Sequence, residues 1–379
     1  MEIIMKPTEA CNGTCVYCAA NGSSAKTKVF PEAELGRLFQ IFLDWLVQDD
    51  RRKLRFTWHG GEPLLCGRDF YRRVVEEQRR VFGPELRRVK NAMQSNLSLI
   101  TERWVPGLRD LLGDQAIGTS FDIVQDIRGL RSGGNLAELW FRALHVLRAN
   151  SIAVGAVYVV HKKSLGRAGD VYYYFRNLDP ALHIRFNPLY REGRASSEDS
   201  QSLWITAEEY GEFLVELCEV WLADHRRAPV MPLVEWLRAW KGRYRLCCDS
   251  RGRCHETHLG INPDGGVYGC GRASDNGAHK LGNIFEDDLA DILVRRPRSD
   301  LASRPARLRA GWCRDCRYWP LCHGGCPMLA WLYYGDLCRE TYFCASRRRL
   351  FEHLEQRFGP PAHLRPARRT GAAAGAGRG

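Results

Sequence analysis

No stretch of this chain's 379 residues approaches the roughly 18 consecutive apolar residues of a membrane span. The opening Met1-Glu2-Ile3-Ile4-Met5-Lys6-Pro7 lacks the apolar core of a secretion signal. No repeat of fixed period is present, which excludes solenoids and propellers. Also missing are a helix-turn-helix pattern and a basic stripe interleaved with aromatics, so the net charge of +12 does not read as a nucleic-acid footprint. The positive residues are spread along the chain and crowd only its end, at Arg347, Arg348, Arg349, Arg357, Arg365, Arg368, Arg369 and Arg378. These absences predict a cytoplasmic protein with neither a membrane nor a nucleic-acid partner. The charge leaves room for an acidic partner or substrate.

Cysteine is abundant, with fifteen in the chain. In a protein without an export signal, that argues for metal ligation in a reducing compartment and against a disulfide framework. Cys11, Cys15 and Cys18 fall within eight residues. Three thiolates at this spacing can wrap one face of a four-iron cube and leave one iron without a protein ligand. A small molecule can bind that open iron and receive an electron. A closed zinc site would want four ligands in two pairs, and no fourth Cys or His lies nearby.

Hydrophobic residues make up 45% of the chain, enough for one large and one small core. Over residues 2–190, short β-rich runs alternate with amphipathic stretches. Strands are expected at 2–6, 54–59, 89–94, 116–122, 152–160 and 183–188. Helices are expected at 32–47, 70–81, 102–112, 136–149 and 168–176. Six β-α repeats predict an α/β fold with parallel strands and outer helices, whose chemistry sits at the C-terminal strand ends. The cysteine triplet, Gly60-Gly61-Glu62-Pro63, Gln94-Ser95-Asn96 and Ser120-Phe121-Asp122 all fall there. Helices at 206–225 and 231–241 bridge to a cysteine-dense segment short of periodic structure, whose fold is expected to come from metal ligation. A last helix, 346–358, stops at Gly359-Pro360-Pro361.

The Cys-x3-Cys-x2-Cys run, with Tyr17 before its third cysteine, resembles the signature of radical S-adenosylmethionine (radical SAM) enzymes. Gly60-Gly61-Glu62-Pro63 after the run Leu54–Trp58 resembles the family's Gly-Gly-Glu segment; taken alone it reads as a strand-to-helix turn. Further on, Cys248-x5-Cys254, Gly265, Cys270, Cys313-x2-Cys316-x5-Cys322-x3-Cys326, Cys344 and Leu281-Gly282-Asn283-Ile284 resemble the C-terminal SPASM extension of such enzymes. Cys313-x2-Cys316 alone would also fit a zinc ribbon.

The resemblance implies a partial (β/α)6 TIM-type barrel followed by a small cysteine-rich auxiliary-cluster domain. The expected divisions are 1–200 for the barrel, 201–246 for a helical bridge, 247–345 for the SPASM domain, 346–358 for the last helix and 359–379 for a disordered tail. The implied cofactors are S-adenosylmethionine and three [4Fe-4S] clusters. One cluster would sit on Cys11, Cys15 and Cys18, the second on Cys248, Cys254, Cys270 and Cys326, and the third on Cys313, Cys316, Cys322 and Cys344. Cys247 could exchange with Cys248, while Cys66, Cys218 and Cys338 are left over. Tyr17, Gly60, Gly61, Glu62, Ser95, Asn96 and Ser120 would contact S-adenosylmethionine, with Glu62 taking its amino group. An electron donor such as flavodoxin or ferredoxin is implied as a partner.

The implied chemistry is reductive cleavage to a 5′-deoxyadenosyl radical, removal of hydrogen from an unactivated C–H, and loss of an electron to an auxiliary cluster. Asp122, His59 and Glu256 are the acid–base candidates, with Asp249, His255 and His258 behind them. Sulfatase-maturing members carry Asp after the third ligand of the first auxiliary cluster, whereas Gly271 follows Cys270 here. Many peptide maturases carry an N-terminal recognition module, and this chain reaches its triplet at Cys11. These departures point to dehydrogenation of a secondary alcohol in a carbohydrate or aminocyclitol intermediate of natural-product biosynthesis. Maturation of a ribosomally made peptide is the alternative, sulfatase maturation stands behind it, and a non-enzymatic metal scaffold comes last.

Overall fold

The computed structural model describes residues 1–20, 22, 28–124, 126–243, 247–295 and 298–364. Six strands follow one another in sequence and in space: β1 (Glu2–Thr8), β2 (Leu54–Gly60), β3 (Val89–Ser95), β4 (Ile117–Ser120), β5 (Val154–Val160) and β6 (His183–Pro188), each parallel to the next. The connections carry α1 (Leu35–Leu46), α2 (Gly67–Phe82), α3 (Val105–Leu112), α4 (Leu136–Ala149) and α5 (Ala168–Leu178). The expected β-α alternation is therefore present. The ends of individual elements differ by a few residues from the periodicity-based bounds.

Strand alternation divides the side chains between two environments. On β5, Val154, Ala156, Tyr158 and Val160 are buried against helices, while Val157 and Val159 face an inner cavity. On β2, Phe56 and Trp58 pack edge-on against Phe39, Phe42 and Phe70, and His59 faces inward. Aromatic edge-to-face packing of this kind anchors the helices to the sheet.

After β6 come α6 (Ala207–Ala223), β7 (Val230–Met231) and α7 (Leu233–Trp240). Thr206 and Glu209 close a capping box at the start of α6. The helix Cys344–Phe358 packs on α6, tied by the Arg349–Glu212 and His353–Glu219 pairs.

The cysteine-dense segment continues the barrel's sheet. Its strand β8 (His258–Ile261) pairs in parallel with β1, and β9 (Gly266–Tyr268) and β10 (Lys280–Asn283) continue antiparallel from it. One ten-stranded sheet thus runs β10-β9-β8-β1 through β7. Leu259, Ile261, Val267, Leu281 and Ile284 give this end its own apolar core. A 13-residue helix, Arg298–Ala310, lies in a segment where periodicity predicted none. Of the expected tail, Ala362–Leu364 form a single helical turn, and residues 365–379 lie outside the described ones.

Candidate functional site

The loop after β1 carries the triplet and is held from several sides. Thr14 and Val16 donate backbone hydrogen bonds to Gly129 and Ile127, and Arg131 N–H donates to Asn12. Arg131 Nε donates to the carbonyl of Cys11, and Arg194 N–H to that of Cys18. Cys11, Cys15 and Cys18 all open on a cavity of about 350 Å³. A Cβ on Gly13 would stand 3.4 Å from Cys11 Sγ and 3.8 Å from Cys15 Sγ, in ordinary contact with both thiols. Among the described residues no three His, Cys, Asp or Glu side chains are grouped to hold a single ion. The soft thiol set bordering a volume suits a cluster instead.

Gly60-Gly61-Glu62 is more than a turn. Gly61 N–H donates to Thr8 and Glu62 N–H to Ala10, which zips the end of β2 onto the cysteine loop. Gly60 has φ +110, and a Cβ on it would lie 2.2 Å from the Thr8 carbonyl oxygen. A Cβ on Gly61 would lie 2.0 Å from that of Ala10. Since Gly61 would clash with backbone and not with a flexible tip, Gly61→Ala is expected to push the cysteine loop away. Iron held by the triplet and S-adenosylmethionine binding should fall together, with a stability loss of about 2 kcal/mol. Wild-type cofactor affinity in that variant would refute the close-approach argument.

The Glu62 carboxylate is wholly buried. Oε1 accepts from Ser95 Oγ at 2.8 Å and from Leu64 N–H at 3.1 Å, and Oε2 accepts from Asn96 N–H at 2.7 Å. Burial outweighs these bonds and raises its pKa to about 7. Asn96 Nδ2 donates to Asn12 Oδ1, and Asn12 Nδ2 to Ser98 Oγ, so the end of β3 is tied to the cysteine loop. Asn12 and Ser98 were not among the expected residues; Asn12 lies between Cys11 and Cys15 and carries no spacing signal of its own.

The remaining expected residues separate. Tyr17, buried, faces Arg128 and stacks near His161. Ser120 lines the cavity within reach of Gln94 Nε2. Asp122 is committed elsewhere: Oδ2 pairs with His161 Nε2 at 3.1 Å and Oδ1 accepts from Val124 N–H. Glu256 stands exposed, paired with Arg253, away from the cavity lining. Asp249 is held by Arg347 at 2.6 Å. His59 does line the cavity, and its Nδ1 accepts from Gly60 N–H at 2.7 Å. Burial lowers its pKa.

The later cysteines gather into two sets. Cys248, Cys254 and Cys270 lie within electrostatic reach of Cys326, and Cys344 within reach of Cys313, Cys316 and Cys322. Cys247 turns elsewhere, donating to Asp249 Oδ1 at 2.5 Å beside Arg185. Each set has a cation on one sulfur: half-buried Arg272 donates from Nη1 to Cys326 and buried Arg347 from Nη1 to Cys322, both at 3.4 Å. Such donors suit anionic thiolate clusters. Arginine is too common in this chain for either to have stood out in sequence. Cys218 is fully buried on α6, and Cys338 is buried beside Arg304 and Arg307. Cys66 is half-buried near Glu62.

Two family profiles match: Radical SAM superfamily over residues 5–164, and an iron-sulfur cluster-binding domain, SPASM, over 247–317. The serine-type anaerobic sulfatase-maturating enzyme of Klebsiella aerogenes is 27% identical over 334 residues, covering 86% of this chain and 79% of that one. The cysteine-type enzyme of Clostridium perfringens strain 13 is 22% identical over 369 residues, covering 93% and 96%. Among solved structures, native anSMEcpe with bound AdoMet and Cp18Cys peptide superposes with a TM-score of 0.81 at 21% identity, covering 94% of this chain and 97% of that one.

Proposed function

We propose, from the premise that this chain is a radical SAM enzyme with a C-terminal SPASM domain, that it oxidises a C–H beside oxygen or sulfur in a peptide or protein residue. One geometric observation carries the choice of a chain-like substrate. The cavity bordered by the triplet shares Ser120 and Arg128 with a second space of about 680 Å³, which runs past Phe121, Trp140, Phe141 and Tyr174. An extended segment can lie in the second space and present one residue to the first. The names of the sulfatase-maturating relatives support the same substrate class.

Cys11, Cys15 and Cys18 would hold the cluster with the open iron. Gly60, Gly61, Glu62, Ser95, Asn96, Ser120 and Tyr17 would hold S-adenosylmethionine. Glu62 has one of its roughly four acceptor positions left after its three internal bonds, which leaves room for the amino group. Bound together, cluster and S-adenosylmethionine supply hydrogen-atom abstraction from an unactivated carbon. Cys248, Cys254, Cys270 and Cys326 would hold one auxiliary cluster, and Cys313, Cys316, Cys322 and Cys344 the other. Val157, Val159 and Pro188 give the cavity an apolar wall.

Dehydrogenation of a carbohydrate or aminocyclitol alcohol is the second reading. Gly271 favours it: no carboxylate follows Cys270, and a Cβ there would meet Ile4 Cγ2 at 2.9 Å. Anaerobic incubation of the reduced, iron-loaded protein with peptides bearing a central serine or cysteine separates the two. The peptide should lose two hydrogens, and deuterium placed on its Cβ should appear in 5′-deoxyadenosine. Stimulation by aminocyclitols alone would select the second reading. An unchanged product mass would refute oxidation in favour of epimerisation.

A further inference from the structure

Oxidising a C–H beside oxygen or sulfur to a carbonyl or thiocarbonyl removes a hydrogen atom, an electron and a proton. The hydrogen atom leaves to the S-adenosylmethionine-derived acceptor and the electron to an iron–sulfur cluster, so the proton needs a base inside the cavity. Among the described lining residues the choices are few. Gln94, Asn96 and Asn187 are amides. Arg128, Arg194 and Arg272 are cations. Tyr17 and Tyr190 are phenols, which ordinarily carry their protons at neutral pH. His59 is eliminated by its own hydrogen bond. With Nδ1 accepting from Gly60 N–H, its neutral ring carries the proton on Nε2, so neither ring nitrogen is free to take the substrate proton.

Asp275 remains. It is the one carboxylate among the described residues that line this cavity. It sits four residues after Gly271 on the short helix Gly271–Asn276, one turn along the same face. Its Oδ1 lies 2.7 Å from Lys6 Nζ, a side chain only 1% exposed, while the 13% of the Asp275 side chain left exposed belongs to a residue on the cavity wall. Lys6 comes from β1, His59 from β2, and Asp275 from the segment whose strand β8 is docked beside β1. The carboxylate is therefore held by the sheet and not by a loose loop.

Resting on the reading above, we infer that Asp275 accepts the substrate proton, with Lys6 fixing its carboxylate and His59 Nε2–H directed at the oxygen or sulfur that becomes the carbonyl or thiocarbonyl. The C–H bond breaks homolytically, the O–H or S–H proton passes to Asp275, and the remaining electron leaves to the iron–sulfur acceptor, closing the new double bond. Carboxylate-assisted proton removal of this kind contributes about 10²–10⁴ in rate.

The test compares wild type, Asp275→Asn and Asp275→Glu, all loaded with iron and sulfide, with Cβ-deuterated serine and cysteine peptides. In Asp275→Asn, deuterium transfer into 5′-deoxyadenosine and peptide binding to the oxidised protein should stay at the wild-type level. Oxidised peptide should fall by about a hundredfold or more, and Asp275→Glu should recover part of it. Two results overturn the assignment: oxidised product at the wild-type rate in Asp275→Asn, or loss of peptide binding and label transfer together, which would make Asp275 a scaffold for the site. Failure of the underlying reading looks different, because wild type itself would then transfer no label from either peptide.

Discussion

Replacing Cys11, Cys15 and Cys18 together by alanine should abolish S-adenosylmethionine cleavage while leaving most of the iron in place. Three four-iron clusters amount to about twelve irons per chain, and the triple variant should keep about eight. The expectation follows from the grouping of the thiols. The triplet opens on its own cavity, and the eight later cysteines fall into two other sets, each flanked by its own arginine. Single changes at the adjacent pair refine the test. Cys248 neighbours Cys326 and Cys254, whereas the Cys247 thiol is engaged with Asp249. Cys248→Ser should therefore cost iron and Cys247→Ser should not. Iron near four per chain in the wild-type protein would refute both auxiliary sets. Equal losses at the two positions would mean that the ligand is shared.

Local signals carried the barrel half well. Helix α4 occupies the span its periodicity predicts, starting after Asn135, which caps Glu138 N–H. The start of α6 is written in Thr206 and Glu209. The strand-end motifs were legible because parallel β-α units put chemistry at one end of each strand. Non-local pairing was not legible. Residues 2–5 lie beside 258–261 in the sheet, and no periodicity in either segment encodes that register. The Asp264-Gly265 pair between β8 and β9, with Gly265 at φ +80, was a hairpin signal that the cysteine pattern overshadowed. Helix Arg298–Ala310 escaped because it is polar around most of its circumference and contains Pro305. Asp275 could not have been selected from sequence either. Only the docking of β8 on β1 brings its helix within 2.7 Å of Lys6 and onto the wall that His59 lines.

Arg304, on that same polar helix, is expected to hold the auxiliary end of the molecule together, and its removal should have the largest effect on stability. The guanidinium has five N–H donors, and each meets a backbone carbonyl. Nε donates to Leu337 at 2.7 Å; Nη1 donates to His323 at 3.3 Å and Gly325 at 3.0 Å; Nη2 donates to Gly324 at 2.9 Å and Arg339 at 2.8 Å. These carbonyls belong to two loops, one joining Cys322 to Cys326 and the other around Cys338. The side chain is almost fully buried, with thiols of both later sets within electrostatic reach. Arg304→Met keeps much of the volume and strips all five donors. At about 1 kcal/mol or more for each acceptor left dry, the cost approaches 5 kcal/mol, a large share of an ordinary domain's stability. Arg304→Lys should fare little better, since three donors on one nitrogen cannot span two loops. The expected result is a melting temperature lowered by more than about 5 °C. Iron should be lost from the two later sets, while the triplet's iron and S-adenosylmethionine binding persist. A lysine variant that loads full iron and melts with the wild type would show that the loops are held by the clusters and not by Arg304.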